Sequence, residues 1–303
     1  MSVLDDLAAA TAAVTRKVGP AVVGIGQGWG LGSGVVVEDG LVLTNAHNLR
    51  GDEVAVTFAD GRVARAAVAG VDVDGDLAVL AVDTAGAPGV EWAEAPAETG
   101  TPVFGLANPG GRGLRVTLGQ VTAAGQAFRG PRGRRITGSV EHTAPLPKGA
   151  SGGPVVDADG RLVGVNTNRL GEGFYLAIPA DTDLRTRVEA LARGQSPVRP
   201  RLGVGLAPPR AARQLRRAVG LPDRDGLLVR AVEEGSPADG AGLRTGDLIV
   251  EAAGRPMATV DDLHEVLEGL DPATSLDLTV ARGADDVAVT VHFGAGTGSQ
   301  GAT

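Results

Sequence analysis

The chain has 303 residues, no cysteine and a formal charge of −8. That length allows more than one domain, while the missing cysteines exclude disulfides and thiolate chemistry. The acidic balance excludes a general nucleic-acid binder, which needs a basic excess to neutralise phosphates. The four histidines, His47, His142, His264 and His292, lack metal-ligand spacing, so neither a metal nor a cofactor is expected. Scarce aromatics and abundant glycine suit a mainly β protein with many tight turns.

Residues 3–18 have helical spacing, with Leu4, Leu7, Ala8, Thr11 and Val14 near one face, and Gly19-Pro20 ends the pattern. Asp5 and Asp6 interrupt the start, so residues 1–13 do not form a signal peptide. No stretch reaches the roughly 18 apolar residues of a membrane span. As written, the sequence leads to the expectation of a cytoplasmic protein, or a periplasmic or extracellular one if residues have been trimmed.

From residue 21 the period changes to short strands at 22–25, 34–37, 41–44, 53–58, 63–71 and 77–82. Asp39-Gly40, Asp60-Gly61 and Asp159-Gly160 are hairpin signals. After the loop 83–100, a second group follows at 102–106, 115–122, 136–141, 153–156, 162–166 and 174–178. Two groups of about six strands predict paired antiparallel barrels. A helix is predicted over 181–193, and the proline-containing 194–200 reads as a linker. Beyond it, strands at 226–232, 247–252, 275–281 and 287–293 surround a short helix at 236–241 and a longer one opened by the capping box Thr259-Val260-Asp261-Asp262. Residues 294–303 read as a disordered tail. The expected domains are therefore an N-terminal helix at 1–20, a first domain at 21–193, the linker, and a second domain at 201–293.

The chemistry centres on Gly149-Ala150-Ser151-Gly152-Gly153-Pro154, a serine among small residues that let backbone N–H groups approach a substrate carbonyl. A serine needs a base and a group that orients it. His47, in Thr44-Asn45-Ala46-His47-Asn48, and Asp76, before Leu77-Ala78-Val79-Leu80, give the order His, Asp, Ser used by some serine peptidases. His47 then takes the Ser151 proton and Asp76 holds the imidazole, with the Gly149 and Ser151 amides as an oxyanion hole. Asp72 and Asp74 read as a solvated acidic turn, Trp29 and Trp92 as packing residues, and the other histidines as surface or core residues. Lys148 as a base in a Ser-Lys scheme is the weaker reading.

These residues resemble the HtrA (high-temperature-requirement) serine proteases, a trypsin-like double barrel followed by one PDZ domain. The likeness lies in Gly32-Ser33-Gly34, Leu43-Thr44-Asn45-Ala46-His47, Asp76-Leu77-Ala78-Val79-Leu80, Gly105-Leu106-Ala107-Asn108-Pro109, the serine hexapeptide, Gly164-Val165-Asn166-Thr167 and Ala177-Ile178-Pro179. It continues through Leu202-Gly203-Val204, Gly235-Ser236-Pro237-Ala238, Ala241-Gly242-Leu243 and Gly246-Asp247-Leu248-Ile249.

The resemblance implies a mainly β fold, a chymotrypsin-like double β-barrel with a small α+β PDZ domain. It implies an ATP-independent endopeptidase of protein quality control acting on unfolded or C-terminally recognised proteins; the alternative is a chaperone or scaffold with a dormant protease domain. The S1 pocket is expected from Pro145, Leu146, Asn168, Leu170, Tyr175 and Leu176, with Pro147 and Phe174 nearby. No carboxylate lies among them, so cleavage is expected after small or medium apolar residues rather than after Lys or Arg. The PDZ groove is expected from Arg201, Leu202, Gly203, Val204, Leu206, Leu263 and Leu267, holding a C-terminal peptide as an added strand. A homotrimer is implied as well, although residues 1–20 lack the aromatic residues through which family trimers interlock. The loop 143–149 departs from the family in lacking an Asp after its threonine, in an extra proline and in being about one residue short.

Overall fold

A computed structural model describes residues 2–26, 31–51, 53–129, 135–169, 171, 173–197, 200–270 and 274–293. Leu170, expected in the S1 pocket, Trp29, Val198 and Arg199 of the linker, and the tail 294–303 lie outside the described residues. The chain divides into two compact units, Met1–Pro197 and Val198–Thr303.

The first unit opens with α1 (Val3–Val18), whose Ser2 and Asp5 form a reciprocal capping box. Val14 and Val18 are buried, whereas Val3 and Leu4 are exposed. Two six-stranded closed barrels follow. The first comprises β1 (Val22–Ile25), β2 (Gly32–Glu38), β3 (Leu41–Thr44), β4 (Glu53–Thr57), β5 (Val63–Asp72) and β6 (Leu77–Ala81). The second comprises β7 (Pro102–Ala107), β8 (Arg115–Arg129), β9 (Arg135–His142), β10 (Pro154–Val156), β11 (Leu162–Arg169) and β12 (Tyr175–Pro179). Each barrel closes by pairing its first strand with its fourth or, in the second barrel, β10 with β7, so edges that would otherwise expose unpaired backbone are eliminated. The three Asp-Gly turns seat Gly40, Gly61 and Gly160 at positive φ, as tight hairpins require.

Helix α2 (Thr182–Ala192), capped by the Asp181 side chain, buries Leu184, Val188 and Leu191 against the first barrel. Its C-terminal turn comes so close to β5 that a Cβ on Gly70 would lie 2.4 Å from the Leu191 carbonyl. The helix also corrects the reading of Asp72 as solvated. Asp72 is buried, accepts from the Gly75 N–H at 2.9 Å and pairs with Arg187 of α2 at 2.8 Å. A short polar turn conceals such a partner because the arginine lies 115 residues away.

The second unit contains β13 (Val204–Leu206), α3 (Pro209–Ala218), β14 (Leu227–Val232), α4 (Pro237–Gly240), β15 (Leu248–Ala252), β16 (Arg255–Pro256), α5 (Val260–Glu268), β17 (Ser275–Arg282) and β18 (Asp285–His292). Its sheet runs β13-β14-β15-β17-β18, so β13 stands at an edge. Helix α3 was invisible to hydrophobic periodicity. Four arginines crowd it, and among the described residues it buries only the small Ala212 and Arg216, whose Nε donates to the Pro222 carbonyl.

Asp247 is the polar anchor of this unit. Burial pushes its carboxyl up, but two bonds from Arg282, at 2.9 and 2.8 Å, and one from the Arg244 N–H outweigh this and hold it below the ordinary 3.8. The anchor therefore stabilises the fold above that value and is lost as pH falls below it. Asp247→Ala removes the bonds from Arg282 and from the Arg244 N–H and is expected to cost about 1.5–3 kcal/mol, read as a lower denaturation midpoint of the second unit in the full chain.

Candidate active site

Asp76 sits in the turn between β5 and β6 with φ of 54°, a left-handed conformation that Asp tolerates better than most residues. Its carboxylate is almost fully buried and therefore needs hydrogen-bond donors. The His47 Nδ1 lies 2.9 Å from both Oδ1 and Oδ2, and the His47 backbone N–H donates to Oδ1 at 3.2 Å. The Thr167 hydroxyl donates to Oδ2 at 2.6 Å, and Asn45 Nδ2 donates to the Asp76 carbonyl at 2.9 Å. The carboxylate thus fixes Nδ1 as the protonated nitrogen of His47 and leaves Nε2 as a base.

Thr167 joins the two barrels chemically. Its hydroxyl reaches Asp76 of the first barrel, while its carbonyl accepts from the Ser151 Oγ at 3.0 Å.

The nucleophile loop is sewn to the first barrel. Ser33 N–H and Asn48 Nδ2 both donate to the Ser151 carbonyl at 2.9 Å, and the Ser33 hydroxyl donates to the Gly149 carbonyl at 2.8 Å. Gly149 and Gly152 have φ of 88° and 87°, and a Cβ on Gly152 would lie 2.1 Å from the Ser33 carbonyl. Only glycine meets both demands at Gly152. Among the described residues, neither the Gly149 nor the Ser151 N–H donates within the chain.

A cleft of about 390 Å³ opens beside Ser151. Of the residues expected to wall an S1 pocket, Leu146, Asn168 and Tyr175 line it, as does Pro147. Pro145 is exposed outside it, Phe174 is 41% exposed and does not line it, and Leu176 is buried in the barrel core. Alternation along β12 explains the last: Tyr175 faces the cleft, so its neighbour faces away. Lys148 and Arg169, absent from the expected pocket, line the cleft instead.

In the second unit, Leu202 is buried and Gly203, with φ of 78°, has no room for a Cβ beside Ser236. Val204 and Leu206 of the edge strand pack on the cluster that contains Leu263 and Leu267. Arg201 is exposed and ion-paired with Glu233 at 2.6 Å. Among the described residues β13 has one strand neighbour, which leaves its other edge open to an added strand.

Residues 32–165 match the trypsin-like peptidase domain family and residues 200–293 the PDZ domain family. The serine endoprotease DegS of Escherichia coli is 30% identical over 278 residues, covering 86% of this chain and 75% of DegS. The chain belongs to the HtrA family of serine proteases. HhoB of Synechocystis is 34% identical over 267 residues, and a periplasmic DegP-like protein of Halomonas elongata is 31% identical over 272. The match covers 84% and 87% of this chain but only 64% and 56% of those two relatives. Among solved structures, a serine endoprotease from Yersinia pestis superposes with a TM-score of 0.65 at 27% identity, covering 93% of this chain and 96% of that one. The HtrA-type protease AlgW with a decapeptide gives 0.66 at 25% identity, covering 93% and 97%. Among the described residues no helix is long and apolar enough to cross a membrane.

Sequence reasoning assigned no role to Ser33, Asn48 or the Thr167 hydroxyl, although Ser33 and Thr167 lie in motifs that carried the family likeness and Asn48 directly follows one. His142, at the end of β9, was read only as a surface or core residue. It is fully buried, donates from Nε2 to Asn166 Oδ1 at 3.0 Å and stacks on Tyr175. Asn166 Nδ2 donates in turn to the Gly153 carbonyl, just behind Ser151. Among the described residues His142 Nδ1 has no partner, and burial lowers the ring's pKa to about 4 against an ordinary 6.5. The unfolded chain therefore binds a proton between these values that the folded chain refuses. Stability is expected to be complete above pH 6.5 and to fall by up to about 3 kcal/mol towards pH 4, a slope that His142→Gln flattens in chemical denaturation.

Proposed function

We propose that the chain is an ATP-independent serine endopeptidase of protein quality control, with His47, Asp76 and Ser151 as its triad. The observation that carries this reading is Thr167, which contacts the Asp76 carboxylate through its hydroxyl and the Ser151 Oγ through its carbonyl. Ser151 Oγ attacks the scissile carbonyl while His47 Nε2 takes its proton, and the imidazolium passes that proton to the leaving amine. Asp76 stabilises the imidazolium, and the Gly149 and Ser151 N–H groups stabilise the oxyanion. Water, deprotonated by His47, then releases the acyl group and restores the serine.

Within this reading, residues 21–193 form the protease domain and 201–293 the PDZ domain, with 1–20 as an N-terminal helix and 194–200 as linker. The PDZ domain takes C-termini of unfolded proteins along the free edge of β13, with the carboxylate at the 201–204 turn. A dormant domain serving as chaperone or scaffold is the weaker reading, because His47 is already held in its catalytic tautomer. Ser151→Ala is expected to abolish both degradation of unfolded casein and fluorophosphonate labelling; labelling retained at another serine would remove the triad assignment. Assembly as a homotrimer is part of the proposal, and Val3, Leu4 and Leu7, at 82%, 75% and 40% exposure, offer α1 an apolar face for it. Sedimentation of the full chain as a monomer at micromolar concentration contradicts the trimer.

A further inference from the structure

The cleft beside Ser151 carries charge that hydrolysis itself does not use. Lys148, three residues before Ser151, and Arg169, at the end of β11, both line it, and both are exposed. No acidic residue is among the described lining residues.

Arg169 is held in place. Its Nε–H donates to the Gly171 carbonyl at 2.8 Å, and its guanidinium carbon lies 5.7 Å from the centre of the Tyr175 ring. Tyr175 is buried and stacks on His142 with ring centres 5.8 Å apart, and His142 is fixed by Asn166. A series of contacts thus runs from the barrel core to the cleft rim. The guanidinium at its end loses little rotamer freedom on meeting a ligand, and its remaining N–H groups form a fork suited to a carboxylate.

The site also specifies which substrate residue enters. The cleft begins at Ser151 and continues along Thr167, Asn168 and Arg169. Its occupant is therefore the side chain of the residue whose carbonyl Ser151 attacks. We propose that this cleft selects an acidic side chain at that position, through Arg169 and Lys148. The proposal rests on the peptidase reading and replaces the preference for small or medium apolar residues expected from a pocket without a carboxylate. A carboxylate gains charge-assisted hydrogen bonds there, whereas a basic side chain meets like charge and an apolar one gains no such bond.

The test uses the full chain and peptides identical except for Glu, Gln, Val or Lys at the residue preceding the cleaved bond. The expected kcat/KM for Glu exceeds that for Gln at least about tenfold, the worth of one hydrogen bond to a charged group. Raising salt from roughly 0.05 to 0.5 M shrinks that ratio, because exposed charges are screened. Arg169→Gln lowers the Glu-to-Gln ratio, and Arg169→Glu turns the preference towards Lys. Equal cleavage after Glu and Gln, faster cleavage after Val, or a salt-independent ratio overturns the inference while leaving the peptidase intact. A wild-type protein that neither cleaves any peptide nor labels at Ser151 overturns the peptidase reading and this inference with it.

Discussion

The buried carboxylate of Asp76 is the constraint on which the site depends. A charge removed from water must be answered by several donors, and one barrel cannot supply them all. His47 provides two from the first barrel, and Thr167 brings the third from the second. Satisfying this single group therefore fixes the tautomer of the base and the register of the two barrels across the cleft. Thr167, once placed by Asp76, also decides where Ser151 rests.

The nucleophile loop obeys a second, independent demand. Its Gly149 and Ser151 carbonyls are drawn to Ser33 and Asn48 of the first barrel. Such close approach leaves no space for a side chain at Gly152. Behind the loop, Asn166 links the Gly153 carbonyl to His142, and His142 supports Tyr175 in the cleft wall. The backbone beside Ser151 and the Tyr175 wall of the cleft therefore share one buried polar network. Such networks are rigid when every member is paired and costly when one is not, and burial keeps the His142 ring neutral.

The second unit solves a different problem with related means. An open strand edge invites aggregation unless it is short or shielded, and β13 is only three residues long. It stays available because Gly203 and the turn before it are locked by Glu233, Ser236 and Ala238, whose backbone or side-chain groups donate to the Gly203 and Leu202 carbonyls. The Asp247–Arg282 pair ties the far side of the sheet. Rigidity around the edge, rather than within it, suits a surface that a partner strand completes.

Alternating apolar residues and Asp-Gly turns made both six-strand groups legible, because strand period and hairpin chemistry are local. The capping box of α5 was legible for the same reason, and the motif order carried the family. Helix α3 was not, since Ala212 and Arg216 are buried where periodicity expects large apolar residues. The sequence by itself determined the strands and the turns, and it supplied His47, Asp76 and Ser151 as the groups proposed for this chemistry. Only the tertiary structure decided that Thr167 bridges them, that Asp72 meets Arg187, and that Lys148 and Arg169 rather than Pro145 and Leu176 face the cleft. Each of these depends on which side of a closed barrel a residue points to and on partners as many as 115 residues away, distances over which spacing along the chain carries no information.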